Sequence, residues 1–562
     1  MNIGTAPKRR DHIKAAIGAA GIAALLCAAG VAPAGQIAPG AGQPVAETFG
    51  RHASQTDPTP KPAYAPPSVR FGLEQAMAPV VRLGGVDRAA LLAEDALMAE
   101  AGDRRLRVST PQFVTVLLKD GVWRDVPGGR LWMVDVTSEG AYSIRAQFTG
   151  MNLPEGAELI TYSTTDLRTE IDGPTPPLGR DVSGAYWTGL HAGDTMRVEY
   201  FVPEGAQGGN AEVPFAINEV QHGYREIFRD DAGRGAGNCH NDPACFPAWE
   251  DVSDAVARIF YVSGGEGFVC SGQLINTISG DETPYFLTAN HCLNSQAEAA
   301  TVDAQFQFRR LTCGGPVNAG ISVDGADHID SNFSSDHTLL MLVGELPSSA
   351  FFAGWTTSVP PSGTDCTAVH HPAGDYGRIS FGDKLNNPSC GGAPSRYVGV
   401  SWNSGVSEPG SSGSGFFRDS TQQLFGVLTC GFSSCSNPNG IDSYGRFDYA
   451  YFTAGFSQHL DEGPDDGFEP NDVCGDASPL PEGLTDNLIV KSTAEDWYTI
   501  TLPAGGSTTI SALFFDSDGD IDMALYDGCG GALLDSATSG SSNEFIAYAN
   551  NTGAQQTVYL HV

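Results

Sequence analysis

Three short stretches in a fixed order constrain this chain more than any bulk property. Thr288-Ala289-Asn290-His291-Cys292 comes first, Ser335-Asp336-His337-Thr338-Leu339-Leu340 second, and Gly410-Ser411-Ser412-Gly413-Ser414-Gly415 last. In chain order they supply a base, an orienting acid and a nucleophile. A serine hydroxyl is a weak nucleophile until a histidine takes its proton, and a carboxylate holds that histidine in the right tautomer. Glycines around the serine let the backbone turn sharply and aim two N–H groups at a developing oxyanion.

The order His, Asp, Ser is that of the chymotrypsin-type double β-barrel, not of subtilisin or the α/β-hydrolases. At 562 residues the chain is too long for one core. Its net charge of −35 argues against nucleic acid or an anionic membrane as partner. Lys8, Arg9 and Arg10 precede an apolar run from about Ile13 to Val31, and Ala32-Pro33-Ala34 follows as a small-residue cleavage site. Residues 1–34 therefore read as a secretory signal peptide, and the protein as extracellular. No later segment approaches the roughly 18 apolar residues that span a bilayer, so no stable membrane anchor is expected. Of 12 cysteines, Cys27 lies in the apolar run and the rest come from Cys239 onward, which with export implies disulfides.

Residues from about 35 to 70 are rich in Pro, Ala and Gly and read as disordered. The best helical stretch is Arg82 to Arg104. From Leu106 to Pro203 the pattern is of short β runs with Gly-, Asp- and Pro-rich turns: Phe113–Leu118, Leu131–Val136, Ala141–Phe148, Glu158–Tyr162 and Thr195–Phe201. This cysteine-free part has no catalytic constellation, so residues 35–234 read most simply as a propeptide. Strands continue over 235–460. Residues 461–470 form an acidic, Gly/Pro-rich linker, and 471–562 a further β unit with strands Trp497–Thr501, Thr508–Phe515, Asp522–Tyr526 and Phe545–Tyr548. The chain stops at Val562 inside such a strand, which reads as a truncation.

Tyr285-Phe286-Leu287-Thr288-Ala289-Asn290-His291-Cys292, His370-His371-Pro372 and Val406-Ser407-Glu408-Pro409-Gly410-Ser411-Ser412-Gly413-Ser414 together resemble the bacterial lysyl endopeptidases, secreted members of the trypsin-like superfamily. The resemblance covers the whole 235–460 region. It implies Ser412 as nucleophile, His291 as general base then acid, Asp336 as orienting carboxylate, and the N–H groups of Gly410 and Ser412 as oxyanion hole. It implies Asp442, in Ile441-Asp442-Ser443-Tyr444-Gly445-Arg446, as the S1 acid for a P1 ammonium and Glu408 as a second pocket acid. It also suggests Cys239–Cys435, Cys245–Cys313 and Cys270–Cys292. Cys366–Cys390 and Cys474–Cys529 are added by joining leftovers within each unit, leaving Cys430 unpaired. His337 is expected to face solvent, opposite its neighbour Asp336 on an extended segment. For His370 and His371 a packing or hydrogen-bonding role stands beside a substrate role.

The sequence departs from the family at three points. Trypsin has an aspartate before its nucleophile, which pairs with the new N-terminus; here, as in the lysyl endopeptidases, that position is a serine, Ser411. The family proline after the motif is Gly415, and the pocket histidine falls on Thr429. No lysine occurs between Lys119 and Lys384, so the propeptide junction offers only Arg225, Arg229 and Arg234. A strictly lysine-specific enzyme could not release itself there.

The C-terminal unit resembles the bacterial prepeptidase C-terminal domain, a β-sandwich, on Glu469-Pro470-Asn471-Asp472, Asp496-Trp497-Tyr498 and Gly519-Asp520-Ile521-Asp522. Asp516, Asp518, Asp520 and Asp522 alternate and are weak Ca²⁺ candidates; Ile521 excludes an EF-hand. The expectation is a mostly β protein: a double-barrel catalytic domain preceded by a β-rich propeptide, which acts as chaperone and inhibitor, and followed by a sandwich. It would be a secreted serine endopeptidase zymogen acting on proteins or peptides after Lys, with Arg as an added choice, and requiring no cofactor. The alternatives are a protease of the same fold with another P1 preference, and a catalytically idle adhesin on a protease scaffold.

Overall fold

Short apolar runs between turn residues dictate strands, and strands dominate the computed structural model. It describes residues 11–18, 45–53, 65–73, 77–100, 105–164, 171–174, 185–210, 212–228 and 236–460, then most of 468–562 apart from 469–470, 472, 482, 491–495, 514–520 and 540–543. Residues 36–456 form one compact unit; residues 1–35 with 457–562 form another.

In the larger unit, residues 77–228 build a two-layer β domain. Val80–Leu83, Val122–Val126, Gly129–Ser138, Glu158–Ser163 and Thr195–Pro203 make one sheet. Trp132, Val134, Met196, Val198 and Tyr200 from that sheet pack on Ile144, Phe148, Phe215 and Val220 of the other. The helix spans Arg88–Glu100, inside the stretch expected. Past it, Leu106–Val116 pairs on one side with Ala216–Gly223 and on the other with Glu266–Leu274 of the catalytic region, so one sheet runs through both.

The catalytic region is two β-barrels. In the first, Ile321–Asp324, Asp303–Phe306, Val256–Ser263, Glu266–Leu274, Tyr285–Thr288, His337–Leu342 and Ala326–Asn332 pair in that order. The second closes on itself: Leu424–Gly431, Gly415–Arg418, Asp365–His370, Arg378–Leu385, Tyr397–Ser404 and Ile441–Arg446, the last pairing back on the first. Phe416, Tyr444, Trp402, Val400 and the buried free Cys366 fill it.

The reading of 35–70 as disordered fails for 65–70, where Pro67–Arg70 is helical with Ser68 N–H on Glu199, and for 45–53. Glu47–Thr48 and Arg51–His52 form strands on Trp355–Thr356 and Phe351–Phe352. Composition misled there because the partner, about 300 residues away in sequence, supplies the hydrogen bonds. The other correction concerns cysteines. Cys239–Cys435, Cys245–Cys313, Cys270–Cys292 and Cys474–Cys529 are joined, but Cys390 pairs with Cys430, not Cys366. Cys366 is buried in the barrel and is unpaired among the described cysteines.

The smaller unit is a sandwich. One sheet contains Gly483–Val490, Ser507–Leu513 and Glu544–Ala549, with Asp11–Gly18 between the first two; the other contains Trp497–Leu502, Gln556–His561, Met523–Tyr526 and Leu533–Ala537. Tyr498, Ile510, Leu525, Ile546 and Leu560 form its core. Residues 11–18 of the expected signal run are thus a strand, while the rest of that run and Ala32-Pro33-Ala34 lie outside the described residues. Asp516, Asp518 and Asp520 also lie outside them, and Asp522 is exposed. Among the described residues no helix is long and apolar enough to cross a membrane.

Candidate active site

Strand pairing brings the first two residues together. Thr288 ends one strand and pairs with Thr338 near the start of another, so the turns carrying His291 and Asp336 emerge side by side. Asp336 Oδ2 accepts from His291 Nδ1 at 2.7 Å, and its Oδ1 accepts from the His291 backbone N–H at 2.8 Å. One carboxylate therefore fixes both ring and backbone of the histidine. Asp336 has φ +60°, a left-handed conformation that is costly for a branched chain but tolerable for aspartate. That kink also corrects the expectation for His337. Extended alternation does not carry across it, and His337 is fully buried against Phe447 and Phe456, with Nδ1 on the Ser335 carbonyl. Burial lowers its pKa to about 4.

Ser412 comes from the second barrel and is stitched to the first. Its carbonyl accepts from Ser271 N–H at 2.8 Å, and Ser271 adjoins Cys270, whose disulfide to Cys292 braces the His291 turn. Gly413 has φ +86°, and a Cβ there would lie 2.2 Å from Ser271 O and 2.3 Å from Thr288 Oγ1, so only glycine lets the two barrels meet here. No hydrogen bond joins Ser412 Oγ to His291; the structure brings the pair and the serine to one seam without closing that contact. Catalytic hydrogen bonds often tighten only when substrate binds. Among the described residues the N–H groups of Gly410 and Ser412 have no hydrogen-bond partner, which leaves both available to an oxyanion.

The loop before Ser412 is held by a network the motif alone did not disclose. Ser411 Oγ lies 2.7 Å from His370 Nδ1 and accepts from Glu408 N–H; His370 Nε2 lies 3.0 Å from Ser380 Oγ, which donates to Val406 O. One proton arrangement satisfies all four groups: Ser411 O–H donates to Nδ1, and Nε2–H donates to Ser380. Burial drives the His370 pKa well below its ordinary value, in keeping with that neutral ring. His371 is likewise structural, with its Nδ1 on Asp375 O and its N–H on Ser271 Oγ.

The cleft beside His291 has a volume of about 490 Å³ and is lined by Asp336, Phe333, Tyr397, Thr429, the Cys390–Cys430 disulfide and, from the N-terminal domain, Arg105. Asp442 is fully buried one strand behind that wall, cross-strand from Gly431. Its Oδ2 accepts from Trp402 Nε1, Ser407 Oγ and Ser433 Oγ, and its Oδ1 from Ser433 N–H. Glu408, expected as a second pocket acid, is engaged by the segment before Cys239 and by His240. Its carboxylate takes the Gly237 N–H at 3.1 Å and lies 3.3 Å from His240 Nε2. Burial pushes its pKa up, but these partners outweigh burial and hold it low. Lys384, the sole lysine of 235–460, is buried with Nζ on Asn386.

A family model for the lysyl endopeptidase C-terminal domain matches residues 234–445, and one for the lysyl endopeptidase N-terminal domain matches 98–224. A lysyl endopeptidase of Pseudomonas aeruginosa is 28% identical over 364 residues, covering 59% of this chain and 75% of the relative. Among solved structures, the thermostable serine protease AL20 from an extremophilic microorganism aligns at 16% identity over 37% of this chain and 99% of that one, with TM-score 0.28. Protease Anisep of Arthrobacter nicotinovorans aligns at 18% identity over 34% and 89%, with TM-score 0.26. With both domain models matched in order around this site, the chain is a lysyl endopeptidase-like serine endopeptidase.

Proposed function

We propose that the chain is the precursor of a secreted endopeptidase that cleaves after Lys and also after Arg, with Ser412, His291 and Asp336 as its catalytic residues. The observation that carries this is the doubly bonded His291–Asp336 pair beside a serine loop with two unused N–H groups. Ser412 Oγ attacks the scissile carbonyl while its proton passes to His291 Nε2. Asp336 stabilises the imidazolium, and Gly410 and Ser412 N–H receive the oxyanion. His291 returns the proton to the leaving amine. Water, activated by the same ring, then cleaves the acyl-enzyme.

Asp442 is the acid for the P1 cation. The hydroxyls of Ser407 and Ser433, already donating to it, can accept from an ammonium or guanidinium while still facing the carboxylate. The reading that Arg is accepted is supported by the arginine-only junction and by Thr429 in the cleft wall, where it leaves room a histidine would fill. Of the junction arginines, Arg225 is bound to Asp95 and the Arg107 carbonyl, and Arg229 and Arg234 lie outside the described residues.

The N-terminal domain acts as chaperone and inhibitor. Val108, Leu190, Ile227 and Phe228 from it share one apolar core with Phe260, Val269 and Phe308 of the first barrel, surface the barrel cannot bury alone. Its strand Leu106–Val116 starts beside Arg105, which lines the cleft. The test is a digest of a denatured protein mixture by the secreted enzyme, with new termini read by mass spectrometry and Ser412→Ala as control. Cuts after both Lys and Arg are expected. Cuts after Lys alone refute the arginine part, and equal digestion by Ser412→Ala refutes the nucleophile.

A further inference from the structure

Residues 45–53 lie on the catalytic region and outside both family matches. We propose that the surface formed by Asn276–Glu282, Phe351–Thr356 and Gln423 is a second peptide-binding groove, distinct from the cleft, and that its occupant is this chain's own segment 45–53. The groove takes an extended strand with glycine followed by arginine.

The contacts are those of strand addition, where main-chain bonds give affinity and side-chain pockets give selectivity. Ala46 O accepts from Thr357 N–H at 2.9 Å, Thr48 O from Gln423 Nε2 at 3.0 Å, and Phe49 O from Asn276 Nδ2 at 2.9 Å; Ala53 N–H donates to Ala350 O at 3.0 Å. A Cβ at Gly50 would sit 2.3 Å from the Phe351 ring, so the ring would have to shift to admit any other residue. Gly354 on the groove side mirrors it, with a Cβ there 2.6 Å from Gly50 N and 2.7 Å from Thr48 O. Arg51 then reaches Glu282 at 2.9 Å and the Gly280 carbonyl, and His52 lies 3.3 Å from Asp251. The two barrels and the segment linking them all contribute, so the occupant ties the halves of the catalytic region together. None of its contacts is with His291, Asp336 or Ser412. The proposal is therefore independent of P1 preference and of maturation.

The test uses the full chain as Ser412→Ala, with recognition sites for a site-specific protease placed between residues 37 and 44 and between 54 and 64. After both cuts, size-exclusion chromatography and native mass spectrometry report whether the excised peptide stays bound. Retention is expected. Arg51→Ala should speed its loss by about tenfold, since a charge-assisted bond contributes near 1.5 kcal/mol. Gly354→Ala, which alters the groove and not the peptide, should shift retention in the same direction. Loss of the unmodified peptide in the first chromatographic pass overturns the proposal, as does equal retention in all three proteins.

Discussion

Replacing Asp336 by Asn tests the geometry at its most constrained atom pair. The aspartate receives two donors, the His291 backbone N–H at 2.8 Å and His291 Nδ1–H at 2.7 Å. An amide has one acceptor and one donor face. If its oxygen keeps the backbone N–H, its NH₂ faces Nδ1 and forces the proton to Nε2, the atom that must accept from Ser412. If it flips, NH₂ meets the backbone N–H and a donor is left unsatisfied, costing about 1–3 kcal/mol. The first outcome costs less, so the wrong tautomer should dominate. A wrong-tautomer histidine lowers turnover about 10⁴-fold, near 5.5 kcal/mol of barrier. The assay is kcat/KM on a lysyl peptide anilide at neutral pH, with Ser412→Ala as background and thermal melting to confirm folding. A folded Asp336→Asn enzyme within tenfold of wild type would refute the assigned role.

Ser411→Ala removes the bridge between His370 and the Glu408 amide; kcat should fall by about tenfold to a hundredfold with KM little changed, because a displaced oxyanion donor acts only in the transition state. An unchanged kcat would show that the loop is held by other means. Stability should also fall with acid. His337, His371 and His191 have pKa values lowered by burial to about 4, 3 and 4, so the folded state keeps them neutral while the unfolded state takes protons below pH 6.5. Their contribution is complete above pH 6.5 and declines towards pH 4 and below, by roughly 3 to 5 kcal/mol per group. Melting of Ser412→Ala across that range checks it, and a flat profile would contradict it. Finally, a precursor with Gln at 225, 229 and 234 should still react with a small fluorophosphonate at Ser412 while failing to cut protein. A precursor silent to the probe, beside a labelled mature enzyme, would mean the site is not yet assembled.

Much of the site was legible because its chemistry needs particular residue types at turns. His291 and Asp336 follow and precede strands whose apolar patterns are plain, and strand pairing did the rest. What escaped depends on backbone detail or distant partners. The inward turn of His337 follows from the positive φ of Asp336, which alternation cannot anticipate. The commitment of Glu408 to Gly237 and His240 depends on where the Cys239–Cys435 disulfide carries that segment. Pairing leftover cysteines by proximity in sequence failed for Cys366 because strand direction, not spacing, decides which way a thiol points. The binding of 45–53 had no local signature at all, since its stability lies in groups supplied by residues 276–282 and 350–357.

The Ser411 network bears on how the precursor proposed above would stay latent. In trypsin an aspartate at this position waits for a new N-terminus, and cutting the chain builds the oxyanion loop. Here the position is already satisfied by His370 and the Glu408 amide, and the segment after the junction is already anchored, with Gly237 N–H on Glu408 and Ala236 N–H on Asp375. Cutting therefore has little left to assemble around Gly410 and Ser412. The N-terminal domain, by contrast, adds a strand to the first barrel, shares its apolar core, and brings Arg105 to the cleft that His291 lines. For the precursor proposed above, these contacts make latency a matter of obstruction rather than disorder: the site is made early, and activation would consist of clearing its entrance.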